Sequence, residues 1–155
     1  MAITPNTTFS SGAILTAAQM NRLPWGVMGV ATRTTGNLTM TDPAADLTGM
    51  SVTFTADSTR YYRVSYSISG QKSAANGRID FKVLNGSNTV LAINYLTLVA
   101  SAYYTLNYEF YLTGITGSQT IKLNGYVTGG TASVYADGPT NSGSPYLIVQ
   151  DIGQA

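Results

Sequence analysis

From Trp25 onward the period of the apolar residues in this chain switches to two, and that periodicity restricts the possible folds more than any other feature. Tyr62, Val64, Tyr66 and Ile68 alternate with Tyr61, Arg63, Ser65 and Ser67, the pattern of a strand with one face in a core and the other in solvent. Ile79, Phe81 and Val83 alternate in the same way with Arg78, Asp80 and Lys82. Tyr104, Leu106, Tyr108, Phe110 and Leu112 alternate with Tyr103, Thr105, Asn107, Glu109 and Tyr111, and Ile121, Leu123 and Val127 continue the series. Turn-forming clusters separate these runs: Gly70 to Ser73, Asn85-Gly86-Ser87-Asn88, Gly114 to Ser118, Gly129-Gly130 and Asp137-Gly138-Pro139. Asn85-Gly86 is a hairpin signal. Strands are predicted over 25–34, 36–41, 48–56, 60–70, 77–85, 88–99, 102–113, 119–128, 131–136 and 145–152. Short strands in such number, with no helical pattern among them, imply an all-β antiparallel sandwich or barrel, and a jelly roll of two four-stranded sheets is the favoured version.

Composition narrows the chemistry. The 155 residues suit one domain. Charged residues make up only 10% of the chain, well below the roughly 25% usual for globular domains, so neutral Thr, Ser, Asn and Gln must cover the surface. There is no Cys and no His, which removes the usual ligands of zinc, haem and iron–sulfur centres and the nucleophile–imidazole pairs of covalent catalysis. No cofactor or metal is expected. A formal net charge of +1, with no basic stripe, argues against nucleic acid as the main partner. The amino terminus lacks a basic region followed by an apolar run, and no apolar stretch is long enough to span a bilayer, so no membrane insertion is expected.

The first 24 residues read differently. Thr16-Ala17-Ala18-Gln19 forms a capping box, Leu15 and Met20 sit at the staple positions, and Pro24 ends a helix of about two turns. Such a helix needs a surface to pack on. That surface is its own β domain or another protein, so the chain divides into an extended arm with a short helix, 1–24, and a β-sandwich domain, 25–155. Within the domain, segment 88–99 is apolar on both faces, with Val90, Ala92, Leu96 and Leu98 on one and Leu91, Ile93, Tyr95 and Val99 on the other. A strand of that kind is covered on both sides. Tyr61, Tyr103, Tyr111, Tyr126 and Tyr135 sit on nominally polar faces, which marks either an interface between copies or rings covered by loops or by the arm.

Candidate catalytic groups are few. Glu109 with Asp80 or Asp57 is the only sort of carboxylate pair for glycosidase chemistry, and a solvated strand face explains these residues equally. Asp42 and Asp46 match no calcium loop and read as a capped turn. The chain is expected not to be an enzyme.

Both ends carry a resemblance. Phe9-Ser10-Ser11-Gly12-Ala13-Ile14-Leu15-Thr16-Ala17-Ala18-Gln19-Met20-Asn21, followed by Trp25-Gly26-Val27-Met28-Gly29, resembles the leader of small tailed-bacteriophage virion proteins, the minor tail or fibre proteins. The closing Leu147-Ile148-Val149-Gln150-Asp151-Ile152-Gly153 looks like an ending common in the same group, especially in phages of actinobacteria. The middle resembles the trimeric jelly rolls of the tumour-necrosis-factor and complement-C1q type only in style. The resemblance implies a non-enzymatic virion component made in the host cytoplasm. Phe9, Ile14, Leu15, Met20, Leu23 and Trp25 would attach it to other virion proteins. Tyr61, Tyr95, Tyr103, Tyr111, Tyr126 and Tyr135 would form the interface of a homotrimer or contact a host-surface glycan. A tail-tip component, a capsid decoration protein or head fibre, and a free lectin are the competing roles.

Overall fold

The computed structural model describes residues 17–73, 75–136 and 144–154. After a single short helix, α1 (Ala17–Asn21), come ten strands: β1 (Gly26–Thr32), β2 (Leu38–Met40), β3 (Ala45–Ala56), β4 (Arg60–Lys72), β5 (Gly77–Asn85), β6 (Val90–Leu98), β7 (Tyr103–Leu112), β8 (Gly117–Val127), β9 (Ala132–Val134) and β10 (Tyr146–Gln154). Each falls on a predicted strand. Thr16, Leu15 and the Asp137 to Pro139 turn lie outside the described residues, as does the side chain of Gln19.

The strands form two antiparallel sheets. One has six strands rather than four, because β4 is long enough to take two partners in tandem along one side: β10 pairs with residues 60–67 and short β9 with residues 70–72. Setting β2 and β9 aside, this first sheet reads β1-β10-β4-β7, and the second reads β3-β8-β5-β6. Successive strands cross from sheet to sheet at β2–β3, β3–β4, β4–β5, β6–β7, β7–β8 and β8–β9, which is the interleaving of a jelly roll. The fold is an antiparallel β-sandwich, as the alternation requires.

Between the sheets Tyr62, Val64, Tyr66 and Ile68 of β4 meet Ile79, Phe81 and Val83 of β5, Ile121 and Leu123 of β8, and Leu147 and Val149 of β10, all of them buried. Phe54 and Tyr62 pack ring to ring at 5.1 Å, and Phe81 and Tyr104 at 6.0 Å. Burial pushes the Tyr66 and Tyr104 phenols above their ordinary range, since a phenolate would lose its hydration there.

Four expectations change. Gly70 to Ser73 is not a turn: β4 runs on to Lys72, because Gly70 has no side chain and lets the Tyr104 ring and the Ser133 carbonyl close over it. At Asn85 the hairpin forms, but the left-handed residue is Asn88 (φ 64°) and the Asn85 side chain accepts from the Ser87 and Thr89 amides. Asp46 lies in β3, not in a capped turn. Within a single chain β6 is covered on one side only: it is the edge of its sheet, and Val90, Ile93 and Tyr95, with Val99 just beyond it, stand exposed.

Candidate functional site

Two charges occupy positions that the alternation reserves for the core. Arg60 shares its parity with Tyr62 and Val64 on β4, and Asp151 shares its parity with Leu147 and Val149 on β10. Their side chains are 3% and 0% exposed, and they pair across the β4–β10 ladder. Arg60 Nη2 donates to Asp151 Oδ1 at 2.8 Å and Nε donates to Oδ2. The remaining donors hold the chain that leads out of α1: Nη1 bonds the Asn21 carbonyl at 2.6 Å and Nη2 the Leu23 carbonyl at 2.5 Å. The Trp25 ring lies 4.0 Å from the guanidinium carbon. Asp151 Oδ1 also accepts from the Gly153 amide at 2.8 Å and from the Trp25 amide at 3.4 Å.

The segment after the leader and the carboxyl-terminal strand are thus joined around one buried ion pair. Sequence reasoning singled out Trp25 but missed Arg60 and Asp151. The available signal was two opposite charges at core-parity positions of two strands. Met20, Leu23 and Trp25 stay about half exposed, and Val27 and Val30 of edge strand β1 follow them at 57% and 53%. Phe9, Ile14 and Leu15 lie outside the described residues.

The six tyrosines do not form one patch. Tyr61 on β4, Tyr103 and Tyr111 on β7, and Tyr135 after β9 belong to the outer face of the first sheet. Tyr95 on β6 and Tyr126 on β8 flank Asp80 on the outer face of the second. There the Arg78 guanidinium pairs with Asp80 and stacks 4.3 Å from the Tyr95 centroid. Glu109 and Asp80 lie on opposite outer faces, so they do not flank a common bond. Asp57 closes the β3–β4 turn, where the Thr59 amide donates to its carboxylate at 2.8 Å and holds it below the usual carboxylate range. The Lys122 ammonium, donating to Asp46 at 2.5 Å, does the same for Asp46, helped by Asn124. Among the described residues no three Asp or Glu side chains cluster as metal ligands, and no helix is long and apolar enough to cross a membrane.

On the first sheet's outer face β4 presents Ser65 and Ser67 between taller neighbours, because Tyr146 and Ile148 of β10 flank them on one side and Asn107 and Glu109 of β7 on the other. The result is an open cavity of about 430 Å³ lined by Arg63, Ser65, Tyr66, Asn107, Tyr108, Glu109 and Tyr146. Arg63 is held in place by Gln150, with Nε to Oε1 at 3.0 Å, and approaches Glu109 to 3.9 Å. The Tyr111 hydroxyl donates to Glu109 at 3.2 Å.

No protein-family model matches the chain, and no curated protein matches it. Among solved structures it is similar to one titled "CBM4 structure and function", with 15% identity over 65% of this chain and 59% of the other and a TM-score of 0.36. A structure of infectious bursal disease virus, Gx strain, is 12% identical over 85% of this chain and 37% of the other, with a TM-score of 0.42. The enzymatically active domain of bacteriophage CBA120 tailspike protein 4 is 12% identical over 80% and 19%, with a TM-score of 0.31. The chain spans less than two thirds of each of these. Viral and phage tailspike proteins are therefore among its structural neighbours, and likeness at this level assigns neither ligand nor role.

Proposed function

We propose that this protein is a non-enzymatic structural component of a bacteriophage virion, a small homotrimer at the tail tip or in a fibre that is attached through residues 1–24 and faces the host surface. One observation carries the reading. The leader is fixed to the head by the Arg60–Asp151 pair at its exit, while Met20, Leu23 and Trp25 keep half their surface open. A strip of apolar side chains on a rigidly held segment suits burial against a partner. That the two chain ends with phage-like motifs meet at this pair fits the same reading. Self-association is assigned to β6, whose free edge and exposed Val90, Ile93, Tyr95 and Val99 a second copy would cover.

The test is electron microscopy of phage particles labelled with an antibody against residues 25–155. Label at the tail tip is expected. Label over the head would make the protein a decoration protein or head fibre whose leader docks on the shell, and particles without label would sink the virion reading. Ile93→Ser, read by sedimentation, should lower the oligomer mass if β6 is the interface between copies.

A further inference from the structure

We infer that the trough on the outer face of the first sheet is a binding site for a linear, uncharged saccharide chain. The inference deepens the host-contact part of the reading above and rests on that part alone.

The trough is built by side-chain height. Along β4 the outer positions run Arg63, Ser65, Ser67, Ser69 and Gln71; Ser65 and Ser67 make a low floor, and beyond them Ser69 is buried, its hydroxyl 3.0 Å from that of Thr105. The stretch from Arg63 to Ser67 is about 13 Å at the rise of a strand, long enough for a short run of sugar rings. One end is closed by Arg63, Gln150, Glu109 and Tyr111, linked to one another as described. Past the buried Ser69 on the same face, Gln71 pairs in register with Tyr103, and the Tyr135 hydroxyl bonds Gln71 Oε1 at 2.9 Å. The Tyr103 and Tyr135 rings lie 6.4 Å apart there, with Tyr103 72% exposed.

The chemistry of the walls selects the occupant. Arg63 is matched by Glu109, so the trough has no net charge with which to draw a phosphate backbone or an acidic polymer. Its lining carries Ser, Asn, Arg and Glu, whereas the buried centre of a protein interface is depleted in charge. What remains is a row of hydroxyl, amide, guanidinium and carboxylate groups between aromatic rings. Such groups pair with sugar hydroxyls, and an aromatic face packs on the C–H face of a sugar ring. The cavity volume lies in the range of small-ligand sites. Arg63, anchored on Gln150, loses little freedom on binding.

The experiment is calorimetric titration of the full chain with cellohexaose, maltohexaose, mannohexaose and chitohexaose, together with binding to purified bacterial surface polysaccharides. At least one is expected to bind. Tyr103→Ala, an exposed position where folding is not at stake, should weaken that binding about tenfold, as expected for one aromatic–ligand contact near 1.4 kcal/mol. Ser67→Tyr, which fills the floor without touching the core, should abolish it, and Thr55→Ala, exposed on the other sheet, should leave it unchanged. The inference is overturned if no saccharide binds. It is also overturned if Ser67→Tyr binds as well as the parent, or if Ser67→Tyr instead lowers the oligomer mass, which would make this face an interface between copies. Label at the tail tip with no saccharide bound would leave the virion reading standing and this one refuted.

Discussion

Replacing Asp151 with alanine removes the acceptor around which the leader exit is organised. The Arg60 guanidinium, whose side chain is 3% exposed, would keep its bonds to the Asn21 and Leu23 carbonyls but lose its counter-charge, and the Gly153 amide would lose its partner. Breaking a buried pair from one side costs about 3–5 kcal/mol, a large part of the 5–15 kcal/mol that holds a domain of this size together. At roughly 2–4 °C per kcal/mol the midpoint of thermal unfolding should fall by on the order of 10 °C. The double variant Arg60→Leu/Asp151→Leu separates the two roles of the pair. With both charges gone the head should regain most of its stability, because apolar residues replace buried ion pairs at little net cost. The leader should nevertheless be released, since nothing then binds its carbonyls, and trypsin should cut after Arg22 many times faster than in the parent. Urea melts and a cleavage time course read the two effects. A cost below about 1 kcal/mol for Asp151→Ala, or an unchanged rate of cleavage in the double variant, would refute the clamp.

Three further outcomes follow from the same structure. Gly70→Ala should destabilise by about 1–3 kcal/mol, because its methyl group would meet the Ser133 carbonyl and the Tyr104 ring; Gly86→Ala, whose nearest neighbour would be 3.5 Å away, should change the urea midpoint little. Tyr66 and Tyr104 are pushed upward by burial, so their contribution to stability is complete below the free phenol value near 10 and is lost as pH rises above it. Each should cost about 1.4 kcal/mol per pH unit in that window; Tyr104→Phe should reduce the slope, and equal slopes in parent and variant would refute the assignment. Asp46, held low by Lys122, works in the opposite direction, adding stability above its free value and losing it as pH falls. Because both partners are partly exposed the gain is no more than about 1 kcal/mol, and Lys122→Met should remove it from the acid limb of the unfolding curve.

Strand positions were legible because alternation is a local property: β4, β5, β7 and β8 were visible in which side chains recur at period two, and the turn clusters between runs bounded the others. Pairing was not, since nothing local says that β10 rather than β9 lies along residues 60–67 of β4, or that β6 ends up on an edge. Gly70 misled for the opposite reason. Its missing side chain, which reads as a turn, serves a close approach of Tyr104 from β7 and Ser133 from β9, two segments remote in sequence. The tyrosines were legible as surplus but not as a site, because parity gives a face of a strand and not the sheet to which the strand belongs; only the register places Tyr103 with Tyr135, and Tyr95 with Tyr126.

Arg60 and Asp151 show what the missing step costs and how it can be supplied. Alone, each reads as a strand terminus tolerating a charge. Taken together, two opposite charges at core parity on separate strands demand each other, because either one buried alone would be far more costly than the pair. The pair also has a geometric consequence. A guanidinium that spends its donors on two backbone carbonyls fixes the path of residues 21–23 irrespective of the side chains there. The first sheet that receives this clamp, through β4 and β10, is the one whose outer face carries the trough. A leader anchored in a particle would then set the direction in which that face points, which a flexible tether would not do.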